Sequence, residues 1–126
     1  MHKLNELKIW NKAIDLATEV YRTTSKFPRE ELYGLTSQVR RSAISIPSNI
    51  AEGAGRNSNN DFKHFLAIAN GSSYELETQM IIAYKLFLIE KETLEGVLKE
   101  LNELQKMNYK LQHHLSKNAI SQLNKR

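Results

Sequence analysis

Apolar residues recur along this chain in alternating steps of three and four, the spacing of one face of an α-helix. Strand-like alternation with a period of two is absent over any useful length. The pattern predicts an all-α fold of four helices that pack along their apolar stripes. The four stripes are Leu7, Trp10, Ile14, Ala17 and Tyr21; Leu32, Leu35, Val39, Ser42 and Ile46; Phe62, Leu66, Ala69, Ser73, Leu76, Met80, Ala83 and Phe87; and Leu94, Val97, Leu101, Leu104, Asn108, Leu111 and Leu115.

The breaks between these helices differ in strength. Pro28 suits a first helical turn, and the segment 53–60 concentrates glycine, serine and asparagine, which are poor helix formers. The last break is weak, because the apolar phase continues from Phe87 to Leu94. An unbroken helix there would be roughly 80 Å long. Nothing else in a 126-residue chain could cover it, so we expect a tight turn near Ile89–Thr93.

These breaks predict one domain with a tail. We expect a helical bundle over residues 1–115 and a basic, frayed C-terminal tail over 116–126, where the apolar stripe ends. The expected helices span roughly 4–25, 29–54, 59–89 and 92–115.

Pro47 lies inside the second stripe and removes the hydrogen bond to the Ala43 carbonyl. Either one helix kinks there, or a helix ends near Ser45 and a new one starts at Pro47. The apolar spacing from Ile46 to Ile50 keeps its phase, which favours the kinked single helix.

The composition is that of an ordinary globular protein, with 40% hydrophobic and 25% charged residues. There are no cysteines, which excludes disulfides, thiolate metal sites and a cysteine nucleophile, and suits a reducing cytoplasm. The longest apolar run, Met80–Ile89, is too short for a membrane span and contains Lys85. No secretory signal is visible, so we expect a cytoplasmic protein with no membrane partner.

Charge is distributed unevenly along the chain. Residues 1–56 carry a net +3, residues 57–103 a net −4, and residues 104–126 have five basic groups and no acid. The basic part could attract a polyanion, or acidic and basic surfaces could meet between subunits. The plainer alternative is a solvated lysine-rich end that keeps the protein in solution.

Known catalytic templates do not match the sequence. A di-iron bundle needs two Glu-x-x-His pairs, and the nearest approach is Asp61-x-x-His64 alone. The Arg-x4–6-His motif of helical ribonucleases fails, because seven residues separate Arg56 from His64. Gly53 and Gly55 follow a helix rather than a strand, so they do not form a phosphate loop. We predict no enzyme activity, no metal, no cofactor and no small-molecule substrate.

Polar residues interrupt or flank the stripes of the second and third helices. One interpretation is a buried hydrogen-bond network that fixes helix register; the alternative is that Arg40 and Arg41 face outward toward phosphate. The candidate network residues are Asn49, Glu52, Ser72, Ser73, Glu75, Glu77 and Gln79.

The runs FPREELYGLTSQVRRSAISIPSNIAEGAGR (27–56) and FLAIANGSSYELETQ (65–79) resemble a bacterial protein family. This family is encoded in intervening sequences of 23S ribosomal RNA genes and is described as ribosomal-protein-like. The accessory variability protein of diversity-generating retroelements is related to it. The resemblance implies an up-down four-helix bundle, a cyclic homopentamer with basic surface, and no catalytic role. It also implies association with nucleic acid and, for the retroelement relatives, with a reverse transcriptase.

Two expectations follow for partners. The stretch Met80–Ile89 is apolar around most of the helix, which indicates a second contact and hence self-association. Nucleic-acid binding is expected by charge and shape, with little sequence preference, because no recognition motif is present. The alternative function is a protein-interaction scaffold that does not touch nucleic acid. The candidate nucleic-acid-binding residues are Arg40, Arg41, Arg56, Lys106, Lys110 and Lys117.

Overall fold

The structure, a computed structural model, describes residues 3–124, with side chains described as far as residue 117. It contains α1 (Lys8–Thr24), α2 (Leu35–Ala54), α3 (Asn59–Lys85) and α4 (Lys91–Asn124), with short 3₁₀ turns at Leu4–Glu6 and Arg29–Glu31. The described residues contain no β-strand. The prediction of an all-α fold with four helices is therefore confirmed.

Successive helices pack side by side, and α4 returns to pack on α1. The four helices thus enclose one core, with α2 and α4 at diagonal positions. The apolar stripes supply that core, and its centre is fully buried: Val20, Val39, Leu66, Leu76, Met80 and Leu101 each have no exposed surface. α2 and α3 form the most extensive helix pair. No helix in the described part of the chain is long and apolar enough to cross a membrane.

Pro47 does not divide α2, which runs without interruption from Leu35 to Ala54. Its ring is buried, and the apolar phase on both sides of it is kept by Ile46 and Ile50, which are also buried. The packing of this face offsets the hydrogen bond that proline removes. Of the two alternatives, a single helix is the correct one.

Gly53 permits the closest approach between α2 and α3. A Cβ atom at this position would lie 2.8 Å from Phe65 Cβ and 3.0 Å from Phe62 Cδ1. Shortly after it, Ser58 caps α3 by accepting a hydrogen bond from the Asp61 amide at 3.1 Å. The absence of a side chain at residue 53 therefore lets the two helices pack closely next to the short connection between them.

The turn between α3 and α4 comes earlier than the expected position near Ile89–Thr93. α3 ends at Lys85, and Phe87 adopts a left-handed conformation with φ 62°. The Leu88 amide donates to the Ala83 carbonyl at 2.9 Å, and the Phe87 amide donates to Tyr84 at 3.0 Å. This is a Schellman ending, in which glycine is the usual left-handed residue. Phenylalanine carries no such signal, and its side chain is 94% exposed rather than part of the stripe.

Three other helix bounds differ from the expected ranges. α1 begins at Lys8 rather than near residue 4, since Leu4–Glu6 forms a separate 3₁₀ turn. Gly34 has non-helical φ and ψ of −109° and −110°, so α2 begins at Leu35 and residues 29–31 form a separate 3₁₀ turn. α4 continues past Leu115 to Asn124, because the segment beyond residue 115 contains no glycine or proline to stop it. Of the expected tail, residues 125–126 and the side chains from residue 118 lie outside the described residues.

An ion pair joins α1 to α4. The Lys12 ammonium donates to Glu100 and to Glu103, the latter at 2.6 Å. These hydrogen bonds, that to Glu100 first, raise the pKa of Lys12, and the hydrogen bond from Lys12 lowers the pKa of Glu103. Lys12 and Glu103 are therefore both charged over the neutral pH range, and their ion pair links α1 to α4.

Candidate nucleic-acid interface

The Arg40 side chain packs against α1 at the surface of the bundle. Its Nε donates to the Thr24 hydroxyl at 2.9 Å, and its guanidinium lies 4.6 Å from the centre of the Tyr21 ring. Thr24 is buried, so this contact ties the middle of α2 to the C-terminal end of α1. The guanidinium is partly buried and held by contacts within the fold.

Arg56 and Arg41 differ in how much of their charge is free. Arg56 forms an ion pair with Glu52 at 2.7 Å and lies 4.9 Å from the centre of the Phe65 ring, so its charge is locally balanced. Arg41 is exposed on α2, in an open groove that Tyr33 also lines. Of the three candidate arginines, Arg41 is thus the one best placed to meet an external anion.

The three candidate lysines form one basic face on α4, which we call the lysine face. Lys106, Lys110 and Lys117 are all exposed, and their spacing of four and seven residues places them on one side of the helix. The last acidic residue before them is Glu103. Because α2 and α4 are diagonal in the bundle, the structure does not bring these lysines together with Arg41. The six candidates belong to separate surfaces.

Two aromatic side chains, neither of them among the predicted site residues, lie in the middle of the lysine face. Tyr109 and His113 are one turn apart, with ring planes at 5° to each other and ring centres 6.4 Å apart. Tyr109 is 73% exposed. The signal was present in the sequence, since positions 106, 109, 110, 113 and 117 share one helix face.

A cavity of about 310 Å³ opens between α3 and α4 beside this face. At its floor, Asn108 is buried; its amide donates to the Leu66 carbonyl at 2.9 Å and accepts from Gln112 at 2.5 Å. The buried Oδ1 of Asn70 has no hydrogen-bond partner among the described residues. The cavity is lined by Lys63, Asn70, Asn108, Tyr109, Gln112, His113 and Ser116.

The candidate polar network is divided between two helix contacts. Between α2 and α3, the Ser45 and Ser72 hydroxyls lie 2.8 Å apart, and the Asn49 amide donates to the Ser45 hydroxyl at 2.9 Å. Between α3 and α4, Gln105 donates to Ser73 at 3.3 Å and to Glu77 at 3.2 Å.

The other candidate network residues have different surroundings. Glu52 pairs with Arg56, and Glu75 is exposed because its position falls on the outer face of α3. Gln79 Oε1 is buried and has no hydrogen-bond partner among the described residues.

Among the described residues, apolar side chains are exposed in a groove between α1 and α2 and on the outer face of α3. A groove of about 520 Å³ between α1 and α2 is lined by Trp10, Ile14, Ile44 and other mostly apolar residues. On the outer face of α3, Ile68 and Ile82 are 40% and 42% exposed. Neither surface contains a nucleophile paired with a base. Within the described residues, no three His, Asp or Glu side chains converge in a way that could hold a metal ion.

Residues 5–110 match the family described as 23S rRNA-intervening sequence protein. The fold is similar to the crystal structure of a protein with unknown function from the S23 ribosomal protein family of Bacteroides thetaiotaomicron. That likeness has a TM-score of 0.74 at 22% identity, over 82% of this chain and 97% of the other. No curated protein matches the chain. The family match covers most of the chain, so the protein belongs to the 23S rRNA-intervening sequence protein family.

Proposed function

We propose that this member of the 23S rRNA-intervening sequence protein family is a non-enzymatic, oligomeric bundle that associates with nucleic acid. The observation that carries the proposal is the basic face of α4, where Lys106, Lys110 and Lys117 are exposed together in a segment without acid. Exposed lysines on one face neutralise phosphates and release counterions, which supplies most non-specific affinity for nucleic acid. Candidate ligands are the RNA of the intervening sequence and retroelement RNA.

Binding should depend steeply on salt. If about five phosphates are neutralised, the duplex affinity falls several hundred-fold between 50 and 200 mM salt. Changing Lys106, Lys110 and Lys117 together to glutamine should weaken binding to all sequences alike and flatten the salt slope by about 2.7, because three phosphate contacts are lost. Fluorescence anisotropy with structured RNA and duplex DNA across a salt series measures both effects.

A matched control variant distinguishes the effect of the lysine face on binding from the effect of net charge alone. Lys26, Lys85 and Lys91 are exposed elsewhere on the molecule, and changing them to glutamine alters the net charge by the same amount. This control should keep most of the affinity and the original slope. Absence of binding to structured RNA or DNA at 50 mM salt would refute the nucleic-acid function and favour the alternative below.

The alternative function is a protein-interaction scaffold. The apolar groove between α1 and α2 favours it, since exposed apolar surface of this kind marks a protein contact more often than a polyanion site. A reverse transcriptase or another protein is a candidate occupant. Under this alternative the α4 lysines only keep the protein in solution, and their substitution leaves partner binding unchanged.

Self-association forms part of the same proposal. α3 exposes several apolar residues, and Leu86 and Phe87 are exposed at its end. Apolar side chains exposed close together on a protein surface indicate a contact with another protein, here a second copy of the chain. The resemblance implies five subunits, which would repeat the lysine face around a ring. Light scattering should give a mass above two subunits, and Ile68→Asp with Ile82→Asp should lower it while the helical circular dichroism signal stays unchanged. A wild-type mass of one or two subunits would contradict the ring.

A further inference from the structure

Resting on the proposed nucleic-acid function, we infer that the cavity between α3 and α4 binds an unpaired base of single-stranded nucleic acid. The site has three parts: the parallel rings of Tyr109 and His113, the polar lining of the cavity, which includes Asn70, and the surrounding lysines. It goes beyond charge-and-shape recognition, because it distinguishes single strands from duplexes.

The ring pair supplies a stacking surface. Tyr109 is 73% exposed and its plane is within 5° of the His113 plane, so the two rings present parallel apolar faces next to the cavity mouth. Bases stack on exposed aromatic rings with little sequence preference, because every base has a π-face. In a paired duplex the base faces are already covered by their neighbours, so only an unpaired base can use this surface.

The cavity supplies a polar contact for the edge of the base. Asn70, Gln112 and Ser116 line the cavity with polar side chains. The Oδ1 atom of Asn70 is enclosed and has no hydrogen-bond partner among the described residues, so the Asn70 side chain has to rotate toward the cavity before it can accept from a ligand. The amino or imino N–H of a nucleobase is a donor of the right kind. Neighbouring Asn108 is not available, because both of its side-chain polar atoms are already bonded.

The lysines supply the phosphate contacts on either side of the base. Lys63 from α3 lines the cavity, and Lys110 follows Tyr109 directly on α4. Lys106 and Lys117 lie before and after the ring pair on the same helix face, separated by about 16 Å along the helix axis. A strand that follows α4 therefore meets cations on both sides of the aromatic pair.

The test compares Tyr109→Leu with Tyr109→Phe. The probes are a labelled, unstructured single-stranded RNA, the same strand annealed to its complement, and a strand of equal length made of abasic nucleotides. Leucine should weaken single-strand binding about 5- to 150-fold, because it removes the stacking ring. Phenylalanine should stay within about twofold of the wild type, because it keeps that ring.

Duplex affinity and the salt slope should not change in either variant, since the phosphate contacts remain. The abasic strand should bind wild type and Tyr109→Leu equally. Tyr74→Leu is the matched control, since Tyr74 is an exposed tyrosine on α3 outside the cavity, and it should leave every affinity unchanged.

The outcomes separate this inference from the proposed function. If Tyr109→Leu binds the single strand as tightly as wild type while the lysine-to-glutamine triple variant binds weakly, the base site is refuted and the nucleic-acid function stands. If wild type binds none of the three probes at 50 mM salt, both are refuted. A loss confined to the single strand, rescued in Tyr109→Phe, supports the base site.

Discussion

Gly53→Ala is expected to lower the free energy of unfolding by about 2 kcal/mol, because overpacking between two closely packed helices has a cost of this size. The added methyl group would lie 2.8 Å from Phe65 Cβ and 3.2 Å from the Phe62 carbonyl oxygen. Both of these atoms are fixed by the α3 backbone, so neither can swing away as the end of a long side chain could. The clash outweighs the gain of up to about 1 kcal/mol that alanine brings within a helix.

Gly96→Ala is the matched control on α4. A Cβ at Gly96 has no neighbouring atom within 4 Å, so this substitution should raise the free energy of unfolding by about 0.5–1 kcal/mol. Urea denaturation of both variants, followed by circular dichroism, shows whether each substitution lowers or raises the free energy of unfolding. If Gly53→Ala is as stable as wild type, α2 and α3 are not in the close contact described.

The apolar stripes predicted most of the core, and their two most exposed members share one cause. Leu32 and Phe87 belong to stripes but are 43% and 94% exposed, because each lies in a turn rather than in a helix. Periodicity reports which residues would share a face if the segment were helical, and it does not detect where the helix ends. At Phe87 the helix ends on a left-handed residue that is neither glycine nor asparagine, so no turn signal was present in the sequence.

The candidate site was predictable in its charges but not in its geometry. Lys106, Lys110 and Lys117 were identified from an acid-free segment, which needs no structure. Arg40 shows what the sequence does not reveal. Its position beside Arg41 suggests an exposed charge, but in the structure its side chain contacts Thr24 and Tyr21.

The cavity shows the same limit across two helices. Asn70 lies 39 positions before Tyr109 in the chain, and only the packing of α3 on α4 brings both to one cavity. No spacing rule within a single helix could have joined them.

Asn108→Asp is expected to destabilise the bundle by about 3 kcal/mol at pH 7, because it buries a charge that keeps the hydrogen bond from Gln112 but loses the one to the Leu66 carbonyl. Asn108 is only 4% exposed, and its amide nitrogen donates to the Leu66 carbonyl at 2.9 Å. The isosteric carboxylate replaces that donor with an oxygen, so two acceptors face each other inside the core. Only the protonated acid can restore the donor, which raises the pKa of the introduced carboxyl above its unfolded value of about 3.9.

The sign of the pH dependence follows from this raised pKa. Above about pH 4 the folded variant holds a proton that the unfolded chain has released, so its stability relative to wild type falls as pH rises, until the folded-state pKa is passed. Below about pH 4 both states are protonated, and the difference from wild type should nearly vanish. Asn102→Asp, at an exposed position of the same helix, adds the same charge and should show neither effect. Urea denaturation of wild type and both variants at pH 3.5 and pH 7 tests this. A variant at position 108 whose deficit is equal at both pH values would mean that the amide of Asn108 is not the donor that secures α4 to the backbone of α3.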